Sequence, residues 1–207
     1  MQLNLPKKYL SYSSWYLWKK NKDQFRKRYY LNEPGYETRE SIFGKNVAKM
    51  MDEQKYNPVL AKLPRGAVSE YRIEVNIGHT PILAFLDSFS PSTGSLYEVK
   101  TGRIAWNQER VNTHDQLPFY CAAIRAHLGF YDPYVLLCWL ETKLRGRREE
   151  LGGIEFENDD ERDKIVEFTG KIEVYTRRVT ENEISAIETD IQETAQEISE
   201  DYYKFTS

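Results

Sequence analysis

Ile82-Leu83-Ala84-Phe85-Leu86-Asp87-Ser88-Phe89-Ser90-Pro91-Ser92-Thr93-Gly94-Ser95-Leu96-Tyr97-Glu98-Val99-Lys100 is the stretch on which the reading of this chain turns. Two short apolar runs flank the turn-rich Ser90-Pro91-Ser92-Thr93-Gly94, which is the pattern of a β-hairpin. Side chains alternate faces along a strand. Leu83, Phe85 and Asp87 therefore share one face of the first run. Leu96, Glu98 and Lys100 share one face of the second, with Tyr97 and Val99 on its other face. If the runs pair, three ionisable groups converge on one partly dry spot. Carboxylates in such a place either bear a desolvation cost or hold a cation.

Upstream, Tyr71, Ile73, Val75 and Ile77 alternate with Glu70, Arg72, Glu74 and Asn76, which predicts a strand with one core face. Gly78-His79-Thr80-Pro81 turns that strand into the hairpin, so three consecutive strands form an antiparallel meander. Glu70 is a candidate extra metal-site carboxylate; the competing reading is a cross-strand ion pair with a base. Downstream, Thr101-Gly102 ends the strand, and Trp106 to Arg110 is irregular or a short helix. The next helix starts near Thr113 to Asp115, because Pro118 is tolerated only in a first turn. Gln116 and Tyr120, four apart, then share a face, and Leu117, Cys121, Ile124 and Leu128 form the apolar side. Tyr134 to Leu140 is continuously apolar and reads as a strand buried on both faces at the centre of the sheet. A helix between it and the Glu98–Lys100 strand makes a right-handed parallel crossover. Ile165 to Val179 holds a further strand, paired with Gly153 to Glu157 as an edge hairpin. Arg145, Arg147 and Arg148 fall in a polar loop and Asn158 to Asp163 in an acidic one.

Before the meander, Ser11-Tyr12-Ser13-Ser14 starts a helix. Trp15 to Tyr30 contains no Gly or Pro and reads as one helix with an aromatic stripe of Trp15, Trp18, Phe25 and Tyr29. Lys19, Lys20, Lys22, Arg26, Lys27 and Arg28 crowd it, either as a solvated face or as a phosphate-contacting one. A second helix runs from near Thr38 to about Gln54, with Ile42, Phe43, Val47, Met50 and Met51 as its apolar side. At the other end, Thr180-Glu181-Asn182-Glu183 fits a capping box. Ile184, Ile187, Ile191, Ala195 and Ile198 then trace one stripe of an amphipathic, acidic helix. That helix packs on the globule, or else binds a protein partner, a second copy, or mimics the charge of DNA.

The 207 residues fit one domain: helices over 11–55, a sheet core over 69–142, an edge hairpin over 151–179 and a last helix over 180–203. Net charge is −3, which at first argues against a polyanionic ligand. Thr180 to Tyr203, however, holds eight acids and no Lys or Arg, leaving 24 acids against 29 bases elsewhere. The acidity is segregated, and basic surface remains available. His79, His114 and His127 make no zinc-spaced motif. No apolar stretch reaches membrane-spanning length, and the first residues lack the order of a signal peptide. These features predict a cytoplasmic protein with free thiols at Cys121 and Cys138.

Asp87, a turn-rich gap and then Glu98-Val99-Lys100 resemble the PD-(D/E)XK nuclease superfamily. Glu98-Val99-Lys100-Thr101-Gly102 is similar to the D/E-x-K-T-G of its RecB-like branch. Gln116-Leu117-Pro118-Phe119-Tyr120 resembles the Gln-x-x-x-Tyr that follows there, and Ser11-Tyr12-Ser13 the Ser-x-Ser of its opening helix. The resemblance implies an α+β fold with an α/β-type core: a restriction-endonuclease-like mixed sheet flanked by helices. It implies a Mg²⁺- or Mn²⁺-dependent, exonuclease-like hydrolase of phosphodiester bonds acting on double- or single-stranded DNA. Asp87 and Glu98 are then metal ligands, helped by the Val99 carbonyl, and Lys100 is catalytic. Gln116 and Tyr120 position the nucleic acid or the lysine, with Lys19, Lys20, Arg26 and Arg103 as further candidate contacts. Two cysteines are too few for the four-cysteine iron–sulfur cluster of some members. Short proteins of this type occur in phage and mobile elements, which implies a bacterial or phage-infected host cytosol. One departure stands out: the family's Gly-x-x-x-His has Gly44 here but Ala48 at the His position. Asp52, one turn on, either substitutes for it as a ligand or is an ordinary surface acid. That departure and the acidic last helix motivate the alternative of a catalytically inactive nucleic-acid-binding or assembly subunit.

Overall fold

The computed structural model describes residues 3–35, 38–53, 55–144 and 166–207. In chain order the elements are α1 (Tyr12–Lys20), α2 (Lys22–Tyr29), α3 (Arg39–Asp52), a 3₁₀ turn (Leu60–Lys62), β1 (Val68–Ile77), β2 (Thr80–Ser90), β3 (Ser95–Gly102), α4 (Gln108–Asn112), α5 (Gln116–Leu128), β4 (Tyr134–Leu144), β5 (Val166–Arg178) and α6 (Glu181–Thr206). The strands form one sheet in the order β1-β2-β3-β4-β5. The first three are antiparallel, β3 and β4 are parallel across the α4–α5 crossover, and β5 returns antiparallel to β4. This is the mixed, helix-flanked α+β architecture that the resemblance implies, with the meander and parallel crossover read from the sequence pattern. The loop arginines Arg145, Arg147 and Arg148, the strand over Gly153–Glu157 and the acidic loop over Asn158–Asp163 lie outside the described residues.

Two apolar layers sandwich the sheet. On one side α1, α2, α5 and α6 bury Trp15, Trp18, Phe25, Phe119, Ile124, Ile191 and Ile198 against Ile73, Leu86, Leu137 and Trp139. On the other, α3 and the 3₁₀ turn bury Phe43, Val47, Met51 and Leu60 against Cys138, Leu140 and Val166. The capping box at Thr180 and Glu183 forms as read, and the Ile184, Ile191 and Ile198 stripe is fully buried. Burying an isoleucine stabilises by about 1.5–3 kcal/mol, whereas an exposed ion pair contributes about 0.2–1 kcal/mol. α6 is therefore an integral layer of the fold, fastened by its apolar stripe.

Four expectations need correction. The helix over Trp15–Tyr30 is two helices, because Asn21 adopts an extended backbone and its side chain accepts from Gln24 N–H to start α2 afresh. β4 is not the central strand; β3 is, and β3 reads as mixed because Glu98 and Lys100 interrupt its apolar residues. Leu128 at the end of α5 is exposed, beyond the point where the sheet covers the helix. The cross-strand ion pair weighed for Glu70 does not form: no base among the described residues pairs with it.

The β-hairpin is shorter than its sequence. Gly94, at φ +66°, closes the turn with its N–H donated to the Ser90 carbonyl at 2.9 Å. Only Ser88, Phe89 and Ser90 pair with Tyr97, Leu96 and Ser95 before β2 and β3 part. At the same level β2 changes face: its core residues run Ile82, Ala84, Leu86 and then Phe89, a three-residue step where alternation demands two. Opposite this step, β1 carries Glu70 at φ +48°, a left-handed backbone costly for a residue with a side chain. The registers of both ladders bring Glu70, Asp87 and Glu98 level on three adjacent strands, and neither ladder pairs Asp87.

Candidate active site

Where β2 leaves β3, the Asp87 carboxylate takes over the missing backbone acceptor. Its Oδ2 accepts the Val99 N–H at 2.7 Å, which sets it against the β3 backbone next to Glu98. Glu98 and Lys100, two apart on β3, point together toward α5. Lys100 Nζ donates to Glu98 Oε1 at 2.6 Å and to Gln116 Oε1 at 2.6 Å. Gln116 Nε2 donates to the Tyr120 hydroxyl at 2.8 Å. The array thus runs Glu98, Lys100, Gln116, Tyr120. Its geometry follows from a two-residue strand repeat facing a four-residue helix repeat.

Charge in this region is unbalanced. Glu98 is only 2% exposed, and its Oε2 has no hydrogen-bond partner among the described residues. A buried carboxylate oxygen left bare costs more than an ordinary hydrogen bond returns. Asp87 has its pKa raised well above the carboxylate range, first by burial and then by the Glu98 charge, with Lys100 and the Val99 N–H opposing. Glu70 is raised too, by burial and by the charges of Asp52 and Glu98. Among the described residues the ion pair made by these acids is that of Glu98 with Lys100.

The alternation of the sequence set Asp87 and Glu98 on a common face. In the structure that face is not shared: Glu98 points with Lys100 toward α5, while the face change in β2 sets Asp87 against the β3 backbone on the α3 side. Asp87 and Glu70 border a cleft of about 60 Å³ on the α3 side, lined also by Gly44, Val47, Ala48, Met51, Val99 and Thr101. Ala48, at the position where the resemblance anticipates His, leaves that wall apolar. Asp52 is exposed at the end of α3, close enough to raise Glu70. Among the described residues no three His, Cys, Asp or Glu side chains gather tightly enough to cage a metal. A hard divalent ion that keeps most of its waters needs only one or two carboxylates. The bare Glu98 Oε2 and the all-oxygen pair Asp87–Glu98 fit such an ion.

The outlying candidates are placed differently. Lys19 is ion-paired with Asp190. Arg26 donates through Nε and Nη2 to both oxygens of Asp201 at 2.9 and 2.7 Å. Both are thereby paired with acids of α6. Arg103 reaches Glu40 at 3.2 Å on the surface. Lys20 makes no ion pair with any described residue and lies 5.4 Å over the exposed Tyr16 ring. Tyr12 links that surface to the site, 5.7 Å from Tyr16 and 6.3 Å from Tyr120 between ring centroids. Sequence reasoning passed over His114, whose Nε2 lies 3.2 Å from Gln116 Oε1. The available signal was its place two residues before Gln116.

No family model matches the chain. No curated protein matches it either. Solved structures do. A candidate exonuclease from Eubacterium rectale superposes with a TM-score of 0.58 at 10% identity, covering 92% of this chain and 82% of its own. A phage-related exonuclease from Haemophilus somnus 129PT gives 0.51 at 13% identity, covering 89% and 82%. At such identities the likeness is one of fold: the chain shares the architecture of these exonucleases over most of its length. No helix among the described residues is long and apolar enough to cross a membrane.

Proposed function

We propose that this protein is a metal-dependent nuclease of the PD-(D/E)XK, RecB-like type, hydrolysing DNA phosphodiester bonds in an exonuclease-like manner. One observation carries the reading: a buried Glu98 oxygen without a partner, beside an Asp87 whose ionisation its neighbours oppose. Such a pair is stabilised by a cation, and Asp87 and Glu98 are the residues to hold Mg²⁺ or Mn²⁺ there, with the Val99 carbonyl adjacent. The ion supplies Lewis acidity, lowering the pKa of water and screening phosphate charge. The chain supplies the rest. Lys100, resting on Glu98 and Gln116, is placed to donate to a phosphate oxygen or to hold a water by its ammonium. Gln116 and Tyr120 keep that ammonium aimed, since each hydrogen bond in the row restrains the next. The shared architecture with proteins named exonucleases supports the same reading.

The test is cleavage of end-labelled linear and closed circular DNA with Mg²⁺ or Mn²⁺, comparing native protein with Lys100→Ala. Linear DNA is consumed and circular DNA survives, and the variant loses about 10³-fold in rate while keeping its melting temperature within a few degrees. A folded native protein that binds DNA and cuts no form of it with either ion would overturn the reading in favour of a binding or assembly subunit.

A further inference from the structure

We infer that His114 is a positioning residue of this site: its Nε2–H holds the Gln116 amide in the orientation that receives Lys100. The hydrogen-bond inventory leaves little choice. Lys100 can only donate, so the amide atom facing it and His114 is the oxygen, which leaves Gln116 Nε2 to donate to the Tyr120 hydroxyl. An ammonium has no acceptor, and an amide oxygen has no donor. The His114 nitrogen 3.2 Å from that oxygen must therefore carry a hydrogen.

The ring is neutral while it does so. Burial, together with the cations Lys100, Arg110 and Arg177, lowers its pKa to about 4, against the Gln116 contact that raises it. A neutral imidazole with Nε2 protonated leaves Nδ1 as a lone pair, which fixes the tautomer. The ring is also held in place. Trp106 meets it edge-on at 5.0 Å, and Tyr12 meets it at 6.4 Å. Its carbonyl accepts from Arg177 Nη1 at 3.3 Å, which ties the α4–α5 junction to β5.

Lys100 alone orients the amide only while it rests there. Once its ammonium turns to a substrate, that hydrogen bond is lost and the amide keeps only its contact with the Tyr120 hydroxyl, which can donate or accept and so does not fix which end of the amide faces the lysine. A second, uncharged donor on the same oxygen keeps Gln116 in place for the lysine's return. An uncharged donor suits the task, because a second cation there would repel the ammonium it serves.

The inference rests on the nuclease reading for its kinetic arm only. Its first test is independent of activity: a long-range ¹H–¹⁵N spectrum of the full chain between about pH 6 and 8. His114 shows the Nε2–H tautomer throughout; an Nδ1–H tautomer or a titrating ring overturns the assignment. The second compares His114→Phe, which keeps the ring shape and removes the donor, with His114→Gln, whose amide N–H reaches as far. With one neutral hydrogen bond at stake, His114→Phe lowers kcat by up to about tenfold with KM nearly unchanged, and His114→Gln recovers most of it. Equal losses in both variants with a fall in melting temperature mean a packing role and sink the proposal. So does native kcat in His114→Phe. If the native protein cuts nothing, the nuclease reading fails, and the spectrum alone decides His114.

Discussion

The acids of α6 and the acids around the β1–β2–β3 junction are the same chemical groups in opposite circumstances. On α6 each inward acid has a counterpart. Asp190 accepts the buried Trp15 indole N–H at 2.8 Å and pairs with Lys19. Glu197 accepts from the Trp18 indole at 3.0 Å and from Lys22 at 2.8 Å. Asp201 takes the Arg26 fork and the Tyr30 hydroxyl. The pKa values of Glu197 and Asp201 fall accordingly, through the hydrogen bonds from Lys22 and Arg26 above all. At the junction, among the described residues, Glu70, Asp87 and Glu98 have one ion pair, that of Glu98 with Lys100, and the pKa values of Glu70 and Asp87 rise. Matched acids hold a layer in place; unmatched acids ask for a ligand. The difference separates structure from function in a chain whose total charge reveals neither.

The largest effect that would break this contrast is thermal. Added to chelated protein at about 100 times its dissociation constant, Mg²⁺ or Mn²⁺ stabilises the native state by about 2.7 kcal/mol. Calorimetry should show the rise in melting temperature in the native chain and lose it in Asp87→Asn. An equal rise in both would mean that the junction holds no ion.

Next in size is removal of a matched acid. Asp190→Ala strands the buried Trp15 N–H and frees Lys19, and should cost about 1–2 kcal/mol in urea unfolding. The pH dependence sharpens the same point, because the two groups have opposite signs. Stability from Glu197 and Asp201 is present above their unfolded pKa values and is lost as pH falls through the lowered folded ones. For Asp87 and Glu70 it is fully present below the unfolded values and is lost as pH rises through the raised folded ones. Melting curves in chelator should therefore flatten on the acid side in Asp201→Asn and on the rising side in Asp87→Asn. The reverse assignment would invert the comparison.

The smallest effect concerns neighbours on α1. Lys20→Ala should reduce the salt dependence of DNA binding by a slope of about 1, while Lys19→Ala leaves it unchanged. Equal slopes would mean that α6 does not occupy Lys19 in solution.

Much of the fold was legible because period and punctuation agreed. Alternation over Tyr71–Ile77, the Ser90–Gly94 turn, the Pro118 helix start and the apolar run of β4 each had a single cheap solution. The helix break at Asn21 was missed because an Asn without Gly or Pro nearby is a weak stop, although Asn21 with Gln24 three residues on carries a capping signature. The central rank of β3 was hidden because a strand that carries Glu98 and Lys100 does not read as apolar. Glu98, Lys100, Gln116 and Tyr120 could be brought together from two local repeats. His114 could not, since its role depends on the orientation of another side chain. Nor could the fate of Lys19 and Arg26, whose partners lie 171 and 175 positions away.

That separation governs how the molecule comes into being. The pairing of Trp15, Trp18 and Arg26 with α6 spans nearly the whole chain, so α1 and α2 emerge from the ribosome long before their anchors exist. Until α6 is made, two tryptophans and a row of bases wait without their acidic partners.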